Sequence, residues 1–141
     1  MAMTMNLDVV SAEESIFSGT VEEIFAPGTM GDLGITPRHS QLITTLKAGE
    51  LRYVTDGRMA SLFVSGGVME VQPHVVTILA DTAIRAEDLD EKAAEEAKAK
   101  AEAALEGKDP EDLDYGQLQA ELDALKAQIH MIHNIGKSIH G

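Results

Sequence analysis

The chain has 141 residues, 24 acidic against 11 basic, and neither Cys nor Trp. A formal charge of −13 opposes binding to a phosphate backbone or to anionic headgroups, both of which need a basic face. The lack of Cys excludes disulfides, thiolate nucleophiles and Cys-based zinc sites, while 44% apolar residues suffice for a folded core.

The first eight residues, MAMTMNLD, lack the basic region and apolar run of a secretory leader. No stretch approaches the roughly 18 consecutive apolar residues of a membrane span. A protein whose partners are other proteins is expected, with no nucleic acid and no direct membrane insertion.

Composition changes sharply near Ala86. Residues 1–86 hold 8 of the 12 Gly and 3 of the 4 Pro; residues 87–141 carry 14 acidic and 6 basic residues, net −8. Two domains are expected, 1–86 of strands and 87–141 of helices.

In the first, Met3, Met5, Leu7 and Val9 alternate with polar residues, the period of a half-buried strand. A second strand is expected over Thr20–Ala26, ending at the turn pair Pro27-Gly28. Gly28–Gly34 reads as a turn-dense loop, because no Lys follows it and no helix opens after it. Leu42–Leu46 comes next, and Leu51–Thr55 and Met59–Val64 flank Asp56-Gly57, a strong hairpin signal. Val68–Val71 and Val75–Ala80 complete the set. Short strands at this spacing predict an antiparallel β-sandwich or barrel with one modest core.

The second domain predicts two helices. Asp88 with Glu91 three residues on resembles a capping box, opening a helix over Leu89–Glu106 that Gly107 and Pro110 stop. Asp109-Pro110 is a restart signal for a second helix, from Pro110 or Asp112 to Ile135 or beyond. The short connection predicts an antiparallel hairpin. The second helix carries Leu118, Leu122, Leu125, Ile129 and Ile132 at spacings of 4, 3, 4 and 3, a continuous apolar seam. The first has seven Ala between Glu91 and Leu105 and only Leu89 and Leu105 as large aliphatics. Ala buries little area, so the seam is only partly matched and the hairpin is expected to be able to open. Extended, residues 89–139 would span on the order of 75 Å at helical rise.

Catalytic and ligand motifs fail on chemistry. Gly136-Lys137-Ser138 lacks the upstream Gly of a phosphate loop, since Met131 stands there. His130 and His133 share a helix face, but no acidic residue is near them in sequence, so no metal site is expected. His39 has no adjacent acidic partner and Ser65 stands in no nucleophile elbow. No catalytic residue and no cofactor is assigned.

Several blocks in order resemble the epsilon subunit of bacterial F-type ATP synthases: Leu7-Asp8-Val9-Val10-Ser11, Phe17-Ser18-Gly19, Gly34-Ile35-Thr36-Pro37-Arg38-His39, and most specifically Val64–Val71 and Val76–Ala83. The resemblance covers essentially the whole chain. It implies an α+β fold, with an N-terminal antiparallel β-sandwich of about ten strands followed by a C-terminal two-helix antiparallel hairpin. It implies a non-catalytic central-stalk, or rotor, subunit of a proton-translocating enzyme, peripheral on the cytoplasmic face of the bacterial inner membrane. The sandwich would bind the gamma subunit and rest on the c-ring through Met30, Gly31, Asp32 and Leu33, with His39 a further stalk contact.

The resemblance also implies that the hairpin extends into the alpha and beta subunits of the catalytic head and inhibits ATP hydrolysis. Leu118, Leu122, Leu125, Lys126, Ile129, Ile132 and Lys137 would form the inserted surface. Family members that bind ATP use a Leu/Ile-Asp-x-x-Arg-Ala pattern, which here reads Leu89-Asp90-Glu91-Lys92-Ala93-Ala94. Ala93 replaces the guanidinium, so weak or absent ATP binding is expected. The alternatives are an ATP-sensing subunit whose hairpin closes on nucleotide, and a purely structural stalk subunit.

Overall fold

The computed structural model describes residues 3–140, and side chains over 3–135. It divides into two compact units, Met1–Asp88 and Leu89–Gly141.

The first unit is all strand. In order they are β1 (Met5–Ser11), β2 (Ser15–Val21), β3 (Glu23–Gly28), β4 (Gly31–Ile35), β5 (Leu42–Leu46), β6 (Gly49–Thr55), β7 (Arg58–Val64), β8 (Gly67–Val71), β9 (Val75–Ala80) and β10 (Ala83–Arg85), closed by a short 3-10 turn, Ala86–Asp88. They form one hydrogen-bonded sheet in the order β10-β7-β6-β3-β5-β8-β9-β1-β2, with β4 paired to β3 off that path. The pairings are antiparallel except β1 with β9. The sheet folds over until its ends meet: Arg85 Nη2 on β10 donates to the Ile16 carbonyl on β2 at 2.8 Å. Alternation then puts one face of every long strand inside. Leu7 and Val9, Ile24, Leu51, Leu62 and Val64, Met69 and Val71, and Val76 and Ile78 are all nearly inaccessible. This is the expected α+β architecture, with ten strands before two helices.

Several local expectations need correction. Met3 lies outside β1 and is half exposed. The strand expected over Thr20–Ala26 is two strands broken at Glu22, whose carboxylate accepts from Gly57 N at 3.3 Å. The expected loop at Gly28–Gly34 is a β-hairpin: β3 and β4 pair from Ile24↔Ile35 to Gly28↔Gly31, leaving Thr29 and Met30 as its tip. A Cβ at Gly28 would lie 2.6 Å from the Gly31 carbonyl, so glycine there allows the tight tip, not a ligand cradle. The Asp56-Gly57 turn is as predicted, with both residues at positive φ. Gly67 marks the crowded crossing from β7 to β8: φ is +148° and a Cβ would sit 2.1 Å from the Leu79 carbonyl.

The second unit is α1 (Glu91–Leu105) and α2 (Tyr115–His140). Asp90, not Asp88, caps α1, its side chain accepting from Ala93 N at 3.2 Å. Gly107, at φ +79°, ends the run. Asp109-Pro110 does not start α2. Asp109 instead organises a turn, its carboxylate accepting from Glu111 N at 3.0 Å and its carbonyl from Asp112 N at 2.9 Å. Those local bonds satisfy the backbone without a helix, and α2 begins five residues later.

Candidate functional site

Three surfaces carry the residues singled out by sequence. The first is the β3–β4 tip. Met30 is 96% exposed, and Gly31 and Asp32 are exposed beside it. Leu33 turns inward and packs on the core. The tip is braced: Thr29 N donates to the Thr45 carbonyl at 3.1 Å and the two threonine hydroxyls lie 2.7 Å apart. The Met30 thioether thus stands bare on a braced hairpin tip.

His39 is not part of that tip. It follows the far end of β4, roughly 16 Å of strand away. Its Nδ1 lies 2.8 Å from the Ser40 carbonyl, and Arg38 N donates to the Pro73 carbonyl at 2.9 Å. The five residues therefore divide between opposite ends of one strand pair.

The second surface escaped the sequence reading. On the outer face of the sheet, register aligns Thr45, Val68, Leu79 and Val10 across β5, β8, β9 and β1. Val68 and Leu79 are 39% and 57% exposed, and Ile43, further along β5, is 71% exposed. The signal was present: Val75, Val76, Ile78, Leu79 and Ala80 are apolar on both parities, whereas a strand with one wet face alternates.

The third is the hairpin. His133 Nε2 on α2 lies 2.7 Å from Glu91 Oε1 at the start of α1, so the helices run antiparallel, and in the turn between them Lys108 Nζ lies 2.8 Å from Asp114 Oδ2. Continued along two antiparallel helices, the Glu91–His133 pairing brings Ala94, Ala101 and Leu105 to within about one residue of the levels of Ile129, Leu122 and Leu118. Ala94, Ala101, Leu122 and Ile129 are buried; Leu105, Leu118, Leu125 and Ile132 are half-buried. The predicted seam is thus the packed face, matched mainly by alanine. Met131, on another face of α2, is also buried and was not anticipated. Lys126 is exposed, and Lys137 lies outside the described side chains.

The hydrogen bond to Asp114 holds the Lys108 ammonium above its usual range and the Asp114 carboxyl below its own. Burial, followed by the Glu87 charge, pushes the Tyr53 hydroxyl up. In the degenerate nucleotide pattern, the Asp90 carboxylate is occupied as the α1 cap and Leu89 is half-buried. The two histidines do not converge: His130 Nε2 meets Asn134 Nδ2 at 3.2 Å, while His133 meets Glu91. Glu91, Glu95 and His133 do gather within 4.8 Å of one another, which sequence proximity could not show.

The family model described as "ATP synthase, Delta/Epsilon chain, beta-sandwich domain" matches residues 4–86, and that described as "ATP synthase, Delta/Epsilon chain, long alpha-helix domain" matches 87–132. The fold and these two matches define the class as a delta/epsilon chain of the ATP synthase type. Among relatives, the ATP synthase epsilon chain of Nitrosococcus oceani is 55% identical over 99% of both chains. That of Thioalkalivibrio sulfidiphilus is 55% identical over 96% of both. The chain belongs to the ATP synthase epsilon chain family, as the sequence blocks implied.

Solved structures share the fold. A chain of the Euglena gracilis mitochondrial ATP synthase (OSCP/F1/c-ring) superposes with a TM-score of 0.80 at 22% identity, covering 92% of this chain and 82% of that one. A chain from the central stalk and c-ring of the Tetrahymena thermophila mitochondrial enzyme gives 0.67 at 11% identity, covering 92% and 97%. No helix among the described residues is long and apolar enough to cross a membrane.

Proposed function

We propose that this chain is a non-catalytic rotor subunit of the central stalk of a proton-translocating F-type ATP synthase, coupling the catalytic head to the c-ring. Its helical unit restrains ATP hydrolysis by opening. The unit up to Asp88 is the stalk anchor. Its outer row of Val68 and Leu79, with Ile43, supplies apolar area for the gamma subunit, and His39 is a further stalk contact. The exposed Met30-Gly31-Asp32 tip meets the loops of the c-ring. The complex sits on the cytoplasmic face of the inner membrane, and this chain joins it through other subunits.

The observation that carries the regulatory part is the mismatch within the hairpin. Of its seam, α2 buries Leu122 and Ile129, while the residues that α1 buries are both alanines, Ala94 and Ala101. Two large aliphatics contribute about 3–6 kcal/mol in all. The His133–Glu91 contact is exposed and the Lys108–Asp114 pair lies within the turn, so both add little. A few kcal/mol is the gap that a partner offering the seam a better match overcomes. Opened, Leu118, Leu122, Leu125, Ile129 and Ile132 become the surface for the alpha and beta subunits, with Lys126 and Lys137 beside acidic groups of the head.

Removing everything after Asp88 tests this reading in the assembled complex. The truncated chain is expected to remain bound to gamma while ATP hydrolysis rises. Unchanged hydrolysis would sink the brake, and loss of the truncated sandwich from the complex would sink the anchor. No saturable ATP binding is expected by calorimetry, since Ala93 offers no guanidinium and Asp90 is already engaged.

A further inference from the structure

The N-terminal turn of α1 and the C-terminal third of α2 bring together donors that sequence separates by some forty residues. Glu91 and Glu95 stand one helical turn apart and project from the same side of α1. His133 reaches them from the antiparallel helix. One imidazole nitrogen and two carboxylate oxygens lie within 4.8 Å of one another, with His133 Nε2 and Glu91 Oε1 at 2.7 Å. All three residues are exposed, so their side chains can adjust without disturbing packed neighbours. Glu95 makes no ion pair or hydrogen bond among the described residues.

We propose that Glu91, Glu95 and His133 form a binding site for a divalent transition-metal ion of the zinc class, and that its occupancy pins α1 to α2. The chemistry of the donor set selects the ion. Zinc takes imidazole nitrogen and carboxylate oxygen together, whereas magnesium and calcium favour oxygen alone. A tetrahedral zinc with bonds of about 2.0–2.2 Å separates its ligands by about 3.4 Å. The present spread reaches that by opening the His133–Glu91 contact slightly and swinging Glu95 inward. The ion takes the Nε2 lone pair of a neutral imidazole, whose single N–H then sits on Nδ1, so acid that protonates His133 competes with the metal. Water fills the remaining position. The net charge of −13 favours cation capture further.

Because two ligands come from α1 and one from α2, the complete site exists only in the closed hairpin. Metal therefore shifts the hairpin toward closure by its differential affinity for that state. The site depends on the observed hairpin alone and stands apart from any role in a stalk.

The full chain should be titrated calorimetrically with zinc chloride near neutral pH, with magnesium chloride as comparator. One zinc per chain is expected, with no competition from magnesium. Glu95→Gln and His133→Asn should each weaken binding by about tenfold or more, and His130→Asn should not. Zinc should slow amide exchange in both helices of the wild type and leave the Glu95→Gln variant unaffected. Glu95→Gln is the decisive variant, because it leaves the His133–Glu91 contact in place, and circular dichroism reports its helix content. Failure to saturate at millimolar zinc would overturn the proposal. So would Glu95→Gln titrating like the wild type, which would put the metal on histidines of α2 alone.

Discussion

The two units of this chain are held together by different means. The sandwich buries side chains from every long strand against each other, and its interior residues are large and branched: Leu7, Ile24, Leu51, Leu62, Met69 and Ile78 are essentially inaccessible. The hairpin buries three large side chains, Leu122, Ile129 and Met131, all on α2, and the residues buried on α1 are two alanines, Ala94 and Ala101. The first arrangement has one packing, because a sheet that closes on itself through Arg85 and Ile16 leaves no alternative partner for its inner face. The second has a seam that another surface could cover at least as well. The proposed division of labour, an anchor that positions and a hairpin that changes mates, rests on that difference.

Substitution sharpens that contrast. Leu51→Ala should cost the sandwich about 2–5 kcal/mol and lower its thermal transition, because the void in a closed interior collapses only partly. Gly67→Ala belongs to the same class, since the new methyl would overlap the Leu79 carbonyl. In the hairpin the informative change is an enlargement. Ala101→Leu should push the helices apart at a cost of about 1–3 kcal/mol, speeding exchange of α1 and α2 amides while sandwich amides keep their protection. Equal loss of protection in both units would break the distinction.

Smaller effects follow at the ends of α1. Asp90→Ala removes the cap on Ala93 N and should destabilise the helix by about 1 kcal/mol, read as faster exchange in its first turn. Smallest is Lys108→Met at the interhelical turn, where the ion pair is open to solvent on the Asp114 side and Lys108 is half-buried; its thermal transition should match the wild type near neutral pH. The sign of the pH dependence follows from the two shifts. Asp114 is lowered from 3.8, so its contribution is present above that value and is lost as pH falls through the lower folded value. Lys108 is raised from 10.5, so its contribution is present below that value and is lost as pH rises through the higher folded value. A hairpin transition that moved between pH 5 and 9 in the wild type but not in Lys108→Met would contradict this.

How far the sequence reads through to the structure follows the same division. Alternation located β1, apolar runs between turn signals located β5 to β9, and the Asp56-Gly57 turn declared itself, because those signals are local. The strands it misread depend on partners. β4 is short and carries two glycines, and only pairing with β3 makes it a strand. β10 has three residues and exists through β7. In the hairpin, the seam from Leu118 to Ile132 was legible as helical spacing. Met131 was not, because burial on a second helix face leaves no trace in a one-seam pattern.

Among the candidate residues, Met30 to Leu33 formed one group, while His39 fell at the other end of β4. Sequence neighbours across a strand are separated by its length. The converse holds for Glu91, Glu95 and His133, distant in sequence and gathered only by the antiparallel register. The outer row of Val68 and Leu79 needed the cross-strand register to become a surface.

The central claim, that the hairpin is a closed state able to open against a partner, is tested by preventing the opening. The chain has no native Cys, so Ala101→Cys with Leu122→Cys places its only two thiols across the seam. The pair can be joined by a short bifunctional thiol reagent with a reducible link. In the assembled synthase, joining the helices should raise ATP hydrolysis and reduction should restore the lower rate. Equal rates for the joined and reduced complexes would contradict the account.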